Sequence, residues 1–161
     1  MTIDEYNNAV DRYADNLYRF ILKNVKMAET AQDVVQETFA KLWLKLESVD
    51  ATKVKSYLFT AAYHTMIDSI RKDSRMKELD GEHLDNHSHS VQYSDLKEIL
   101  SRAIERLPDD QRSVLLLRDY EGYSYKEIAD ITKLSEAQVK VYIYRARIFL
   151  KAYIGSLEQV I

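Results

Sequence analysis

Apolar residues recur every three or four positions along most of this chain, which is the spacing of one face of an α-helix. No segment shows the alternation of a strand followed by a turn and a second strand. The pattern therefore predicts an all-α fold. The predicted helices cover residues 4–27, 28–45, 54–72, 94–106 and 111–120, and two more follow Ser124 and Ser135.

One segment interrupts this helical pattern. Residues 76–93 are polar and acidic, and they contain one of the three glycines of the chain. This composition is typical of a linker between domains. The sequence therefore predicts two small helical domains, at residues 1–75 and 94–161, joined by a flexible linker.

The composition of the chain indicates the cellular compartment in which the protein works. The chain has no cysteine, which excludes disulfides and thiolate metal sites and fits a reducing cytoplasm. The N-terminal stretch MTIDEYNNAV is acidic and polar, unlike a signal peptide. No run of residues approaches the ~20 apolar positions that a membrane span needs. We therefore expect a cytoplasmic protein.

The net charge of −3 at first disfavours a nucleic-acid partner, but the charges are unevenly distributed. Residues 71–77 and residues 135–151 each carry four basic side chains against one acid. Residues 78–98 carry six acids against one lysine. Such a distribution fits a protein that binds DNA weakly alone and well only inside a larger complex.

The end of the chain has the pattern of a helix-turn-helix motif. Ser124 is placed to cap a short helix, residues 132–134 form a tight connection, and Ser135 is placed to cap a longer helix. Glu136 lies in the first turn of that longer helix, where the helix dipole favours an acid. This order of elements is typical of a DNA-binding motif whose second helix enters the major groove.

The second helix of the motif has two contrasting faces. An apolar face, which should be buried, consists of Val139, Ile143, Ala146 and Leu150. The other face could meet phosphates and base edges, or it could be an ordinary solvated surface. We favour DNA binding because the basic face coincides with the caps and the turn. This outer face carries Gln138, Lys140, Val141, Tyr144 and Arg145, with Arg147 and Lys151 at its edges.

The stretches GYSYKEIADI and LSEAQVKVYIYRAR resemble the promoter-reading domain of sigma-70 family RNA polymerase sigma factors, with the extracytoplasmic-function group as the best match. The preceding stretch LPDDQRSVLLLRDYEGYSYKEIA resembles the first helices of the same domain. The resemblance implies a non-catalytic subunit that directs core polymerase to promoters. Val141 and Tyr142 stand where relatives often have Ser and Arg. The resemblance also implies that the −35 promoter element is read by Gln138, Lys140, Val141, Tyr144, Arg145 and Arg147.

The helix predicted at residues 28–45 also has two faces. Thr30 is predicted to cap it, with Asp33 as the partner in a capping box. One face is apolar and consists of Val35, Phe39, Leu42 and Leu46, with Trp43 at its border. The opposite stripe mixes acids, an amide and a leucine, which fits either a solvated face or an interface. It consists of Asp33, Gln36, Glu37, Ala40 and Leu44.

The family resemblance favours the interface. The stretch DVVQETFAKLW is similar to the segment with which these proteins dock on the clamp coiled coil of the polymerase β′ subunit. The resemblance implies charge and hydrogen-bond contacts from Asp33, Gln36 and Glu37, and Leu44 completes the predicted docking stripe. Two family motifs in the expected order are more specific than either alone.

The helix predicted at residues 54–72 has a buried stripe and a polar side. The buried stripe consists of Phe59, Ala62, Tyr63, Met66 and Ile70. Aromatic, hydroxyl, imidazole and charged groups on the other side could grip unstacked bases and phosphates. The resemblance implies recognition and opening of the −10 element here, with His64 replacing a more usual Asn or Arg. The implied contacts are Tyr57, Thr60, His64, Asp68, Arg71 and Lys72, the last two on the phosphate backbone.

We predict neither a metal site nor a cofactor. His64 and Asp68 are four residues apart on one helix face, but two ligands do not make a site, and a hydrogen bond between them is the simpler interpretation. His83, His87 and His89 fall in the predicted linker, which we interpret as a polar tether.

The resemblance also implies the partners. Core RNA polymerase would be bound through the β′ clamp coiled coil and, near Leu116, through the flap of the β subunit. Promoter DNA would be bound by both domains. Sigma factors of this group are commonly held by an anti-sigma factor, often a membrane-bound one, and we expect such a partner here.

Two other classes of function compete with this interpretation. A conventional helix-turn-helix regulator would need a dimer, yet no long dimerisation helix or ligand-pocket signal is present, and residues 33–43 would be unexplained. An enzyme would need a phosphate loop, a metal motif or an activated nucleophile, and the sequence has no such pattern.

Overall fold

The structure is a computed structural model that describes residues 1–80 and 96–158. Within these two ranges the chain forms helices and no strand, which confirms the predicted all-α class. The helices are α1 (Ile3–Val25), α2 (Ala28–Leu44), α3 (Val54–Asp80), α4 (Leu96–Glu105), α5 (Asp109–Asp119), α6 (Tyr125–Thr132) and α7 (Glu136–Glu158), with a 3₁₀ turn at Ala51–Lys53 before α3.

Helices α1, α2 and α3 pack on one another to form the N-terminal domain. The stripe predicted for α3 is buried except at its end, because Ile70 remains partly exposed. Side chains from all three helices meet in this core, so each apolar stripe finds an apolar partner. The fully buried side chains here include Leu17, Ile21, Leu42, Leu58, Phe59 and Met66.

Helices α4 to α7 form the C-terminal domain. The helix α7 packs against α4, α5 and α6, and its predicted apolar face lies inward. Leu150, at the end of that face, is partly exposed. The domain core is built from Leu107, Val114, Leu115, Leu117, Ile128, Val139, Ile143 and Ala146.

The predicted cap of α2 is wrong. The helix begins at Ala28, with Met27 at the N-cap position and no side-chain hydrogen bond there. The reason lies in the preceding turn: Lys26 ends α1 in the left-handed conformation, with φ of 63°, and turns the chain directly into α2. Thr30 therefore lies inside the first turn of the helix rather than before it.

Helix α3 is longer than predicted. It continues to Asp80 and so includes residues 76–80 of the predicted linker. This extension contains no Gly or Pro and consists mostly of good helix formers, so nothing local ends the helix at residue 72. The rest of the predicted linker, including its three histidines, lies outside the described residues.

The two domains pack against each other. Helix α1 contacts α5 and α4, and α3 contacts α6. Three polar residues on this boundary are buried, namely Asn24, Arg112 and Ser113. Among the helices that the structure describes, none is long and apolar enough to cross a membrane.

Candidate nucleic-acid and partner interfaces

The helix-turn-helix forms as the sequence predicts. Ser124 caps α6 in a reciprocal capping box, because its hydroxyl accepts from the Glu127 N–H and its own N–H donates to the Glu127 carboxylate. Lys133 then adopts the left-handed conformation, with φ of 66°, and ends α6 with a hydrogen bond from its N–H to the Ala129 carbonyl. These local bonds fix the angle at which the chain enters α7.

The N-terminus of α7 carries a second capping box. The Ser135 hydroxyl accepts from the Gln138 N–H at 3.1 Å, and the Gln138 side-chain oxygen accepts from the Ser135 N–H at 2.9 Å. Gln138, predicted as a DNA contact, is therefore engaged in capping through its oxygen. Its amide nitrogen keeps both hydrogens for a contact with DNA.

The residues predicted to read DNA lie on the exposed face of α7. On this face the Tyr144 side chain is 68% exposed and the Val141 side chain is 43% exposed. The opposite residues Val139, Ile143 and Ala146 are buried. The structure thus brings together on one surface Gln138, Lys140, Val141, Tyr144, Arg145 and Arg147.

The basic side chains of this surface have different surroundings. Arg147 donates to the Asp119 carboxylate at 2.7 Å, and that hydrogen bond raises the pKa of Arg147. Lys140 lies 3.9 Å from the Glu136 carboxylate, a solvent-exposed pair on the same helix. Within the described part of the chain, the Arg145 guanidinium has neither an ion pair nor a hydrogen bond.

An aromatic side chain that the sequence analysis missed lies between two of the cations. The Tyr125 ring has the Arg118 guanidinium 4.5 Å and the Lys140 ammonium 5.7 Å from its centre. Tyr125 is the first residue of α6, directly after the cap Ser124. The sequence offered one signal for Tyr125, namely an aromatic residue next to a predicted cap. Its contact with the two cations depends on how α6 packs on α5 and α7, which the sequence does not reveal.

Only the C-terminal end of the predicted −10 surface on α3 is fully exposed to solvent. Asp68, Arg71 and Lys72 are exposed, whereas Tyr57, Thr60 and His64 are half-buried. The Nε2 atom of His64 is buried and has no hydrogen-bond partner, so it makes no bond to Asp68 of the kind expected from the sequence.

The predicted docking stripe on α2 lies beside an apolar groove. Asp33, Gln36, Glu37 and Leu44 are all exposed, and Leu44 is 83% exposed. The groove between α1 and α2 has a volume of about 600 Å³, and its walls are mostly apolar. Its lining residues are Tyr6, Val10, Ala14, Val35, Gln36, Phe39, Ala40, Trp43 and Leu44.

Aromatic packing shapes this groove. The Tyr6 ring meets the Trp43 ring edge to face with centres 5.1 Å apart, and the Tyr6 hydroxyl donates to the Phe39 carbonyl. Trp43, predicted at the border of the apolar face, is 49% exposed. Trp43 and Leu44 therefore present apolar surface at this groove, and Gln36 is the polar side chain among its lining residues.

Leu116, which the resemblance placed near the polymerase flap, is not a surface residue in this arrangement. It is 1% exposed, and it borders a small cavity together with Phe20 and Lys23 of α1 and Tyr120 of the C-terminal domain. The packing of the two domains buries it, which sequence periodicity cannot reveal.

The three predicted surfaces remain separate patches. The structure does not join the exposed face of α7, the polar side of α3 and the groove between α1 and α2 into a single site. Among residues 1–80 and 96–158 there is no group of three or more His, Asp or Glu side chains arranged to hold a metal ion.

Comparison with known proteins gives consistent results for both domains. The profile of sigma-70 region 2 matches residues 9–76, and that of sigma-70 region 4 matches residues 97–150. The ECF RNA polymerase sigma factor SigM of Bacillus subtilis is 36% identical over 157 residues, which is 94% of each chain. The RNA polymerase sigma factor YlaC of the same organism is 29% identical over 157 residues, covering 92% of this chain and 91% of the relative.

A solved structure has the same overall arrangement. The sigma factor RpoE of Bartonella quintana, crystallised in complex with the anti-sigma factor NepR, superposes with a TM-score of 0.81 at 25% sequence identity. The alignment covers 95% of this chain and 98% of that one, so the similarity includes both domains and their relative placement.

Proposed function

Because this chain belongs to the sigma-70 family of RNA polymerase sigma factors, in its extracytoplasmic-function group, and so directs RNA polymerase to promoters, we propose which of its surfaces perform each step. It acts in the cytoplasm as a non-catalytic specificity subunit. The N-terminal domain docks on core polymerase and recognises the −10 element, and the C-terminal domain recognises the −35 element.

The exposed face of α7 reads the −35 element. The observation that carries this assignment is the unpaired, exposed Arg145 on a helix whose N-terminus is fixed by a reciprocal capping box. An unpaired guanidinium can make the bidentate contact with a guanine edge that gives the strongest base discrimination. Val141 and Tyr144 offer apolar contact to thymine methyl groups, and Gln138 offers its amide hydrogens.

Other cations of this face position the protein on the DNA backbone. Arg147 is fixed by Asp119, and Lys140 lies beside the Tyr125 ring, so both side chains have restricted positions. Contacts from such groups to phosphates set register and contribute salt-dependent affinity, but they do not discriminate bases.

The polar side of α3 binds the opened −10 element. Arg71 and Lys72 are exposed at its C-terminal half and hold the phosphate backbone. Tyr57, Thr60, His64 and Asp68 contact bases that have left the stack.

The groove between α1 and α2 receives the clamp coiled coil of the β′ subunit. Leu44 and Trp43 bury their exposed apolar surface against that helix pair, and Asp33, Gln36 and Glu37 bind its polar and basic groups. An apolar centre with a charged rim is the common design of protein interfaces. The C-terminal domain makes a second contact with the flap of the β subunit.

An anti-sigma factor is the remaining partner that we propose. The relative RpoE was crystallised with the anti-sigma factor NepR, and this chain shares its arrangement over nearly its full length. We extend that kind of partner to this chain, including the membrane-bound form common in the group.

Co-purification with core polymerase from the native host, followed by run-off transcription on fragmented genomic DNA, tests the proposed function. We expect stoichiometric binding and new promoter-specific transcripts whose upstream sequences share −35 and −10 elements. A chain that fails to bind core in a sample free of anti-sigma factor, yet binds DNA tightly and specifically as a dimer, would instead be a stand-alone regulator.

A further inference from the structure

Both helices of the helix-turn-helix begin with a capping box, but the two boxes use different side chains. At α6 the partner of Ser124 is Glu127. At α7 the partner of Ser135 is Gln138. A glutamate would serve the cap of α7 as well, and its charge would suit the positive end of the helix dipole. The amide at α7 therefore supplies a group that the cap does not require, namely a hydrogen-bond donor.

The capping box decides which atom of the Gln138 amide is free. The Ser135 N–H is a donor, so the atom 2.9 Å from it is the amide oxygen rather than the nitrogen. The Gln138 N–H in turn donates to the Ser135 hydroxyl at 3.1 Å. Among the residues that the structure describes, the amide nitrogen has no hydrogen-bond partner. Gln138 therefore presents two hydrogens and no free carbonyl oxygen.

Gln138 lies where a recognition helix comes closest to the bases. It is the third residue of α7, which begins at Glu136, and it is exposed. The N-terminal residues of the second helix of a helix-turn-helix contact base edges in the major groove. The next residue, Val139, is fully buried and fixes the rotation of this first turn. The proposed function, on which this inference rests, therefore brings the amide of Gln138 to a base edge.

The four bases differ in how well they pair with a donor alone. In the major groove guanine presents two acceptors, N7 and O6, adenine and thymine present one each, and cytosine presents none. A lysine nitrogen makes the bidentate contact with N7 and O6 of guanine, so one nitrogen can serve both acceptors. A glutamine whose oxygen is free pairs best with adenine instead, because it accepts from N6 and donates to N7. Engaging that oxygen in a cap removes the bond to N6, so adenine loses its advantage.

We propose that the capping box of α7 sets the base preference of Gln138, making it a donor-only reader that selects guanine over adenine and rejects cytosine. Ser135 is then a positioning residue, because its N–H determines which atom of Gln138 meets the base. The preference follows from the cap rather than from the glutamine alone. The box also holds the Gln138 side chain in place before DNA binds, so less conformational freedom is lost on binding.

Ser135→Ala and Ser135→Pro form a matched pair that tests the role of the cap. Both remove the hydroxyl, but alanine keeps the backbone N–H that holds the Gln138 oxygen, whereas proline has none. That N–H bonds to Gln138, and residues 133–135 lie outside the helices, where proline is tolerated. We expect Ser135→Ala to keep the preference for guanine and Ser135→Pro to shift it towards adenine by roughly fivefold or more.

The measurement is holoenzyme binding to the −35 element found by run-off transcription, with each of the four bases placed at each position. Gln138→Ala identifies the position that Gln138 reads, because it abolishes discrimination there alone. Circular dichroism of each variant shows whether its helices are retained.

Gln138→Glu gives a test that does not depend on how the proline variant folds. One carboxylate oxygen keeps the bond to the Ser135 N–H, and the other places an acceptor where the amide has its donor. Glutamate accepts from N4 of cytosine and has nothing to offer the two acceptors of guanine. We expect the order of bases at this position to reverse, with cytosine first and guanine last.

The outcomes separate this inference from the proposed function. A preference for adenine by the wild-type chain, or a folded Ser135→Pro that favours guanine as strongly as Ser135→Ala, would overturn control by the cap. If Ser135→Pro does not fold, an unchanged order of bases in Gln138→Glu overturns it. Unchanged discrimination at every position in Gln138→Ala would remove Gln138 from base readout and leave the proposed function in place. A holoenzyme with no base preference anywhere in the −35 element would refute the assignment of α7 to that element.

Discussion

Arg145 and Arg147 are two residues apart on α7 but differ in what they can do on DNA. Arg147 is engaged with Asp119, whereas Arg145 is exposed and unpaired within the described chain. An engaged cation suits a phosphate, and a free guanidinium suits a guanine edge. The two side chains therefore offer a direct comparison of positioning and base readout on one helix.

Arg145→Ala should cost about 1–3 kcal/mol of discrimination at one position of the −35 element. Arg147→Ala should weaken all promoters alike and lower the salt slope of binding by about one. Holoenzyme binding to a panel of −35 variants at several salt concentrations measures both effects. A uniform loss for both substitutions would contradict the assignment of Arg145 to a base.

Glu121 and Glu127 also differ, in the direction of their pKa shifts. Burial raises the pKa of Glu121 above its usual 4.5, although Arg19, Lys23 and Lys55 oppose that shift. Hydrogen bonds from Ser124 lower the pKa of Glu127. Ionised Glu121 therefore reduces stability at neutral pH, whereas ionised Glu127 adds to it.

Glu121→Gln should raise the melting temperature at pH 7, and this gain should disappear below about pH 4.5, where the carboxyl is protonated in both states. Glu127→Gln should lower the melting temperature at pH 7, and that loss should shrink as the pH falls through the lowered folded pKa of Glu127. Thermal unfolding followed by circular dichroism, from pH 8 down to about pH 2, distinguishes the two. Changes of the same sign would show that burial does not dominate at Glu121.

At the scale of the helices, the capping box of α7 links stability to DNA readout. Gln138 accepts the Ser135 N–H through its side-chain oxygen, and only its amide hydrogens remain for a base. A glutamate at this position keeps the acceptor of the capping box but lacks the donor. This difference allows the two roles of Gln138 to be separated.

Ser135→Ala should lower the free energy of unfolding by about 1 kcal/mol through loss of the cap. Gln138→Glu should leave that free energy unchanged or raise it, while weakening binding to the −35 element. Chemical denaturation and holoenzyme binding together give both quantities. If Gln138→Glu binds as well as the wild-type chain, Gln138 is a capping residue only.

Local patterns predicted the helices well because each helix is set by its own periodicity and caps. Ser124 and Ser135 were identified correctly as caps, since their hydrogen bonds join residues three apart. Thr30 was not, because the left-handed Lys26 begins α2 earlier than the sequence suggests. A residue other than glycine that adopts the left-handed conformation cannot be recognised from the composition of the sequence.

The packing of the helices on one another could not be predicted from the sequence. The placement of Tyr125 beside Arg118 and Lys140 depends on how α6 packs on its neighbours. The burial of Leu116 depends on α1, which is almost 100 residues earlier in the chain. Periodicity identified which face of each helix is apolar, but not whether another domain or solvent covers it.

At the scale of the whole molecule, the packing of the two domains against each other leaves the groove between α1 and α2 accessible. Leu44, Trp43 and Asp33 are exposed on α2, whereas the contacts between the two domains are made by α1 and α3. Under the proposed function, core polymerase can therefore reach this groove while the two domains are packed together.

Asp33→Arg should reduce affinity for core polymerase at least tenfold, because the proposed function pairs Asp33 with basic groups of the polymerase and the substitution replaces this acid with a cation. The free energy of unfolding should change by less than about 0.5 kcal/mol, since Asp33 is exposed and carries no cap. Asp15→Arg is the matched control, an exposed acid on α1 that does not line the groove.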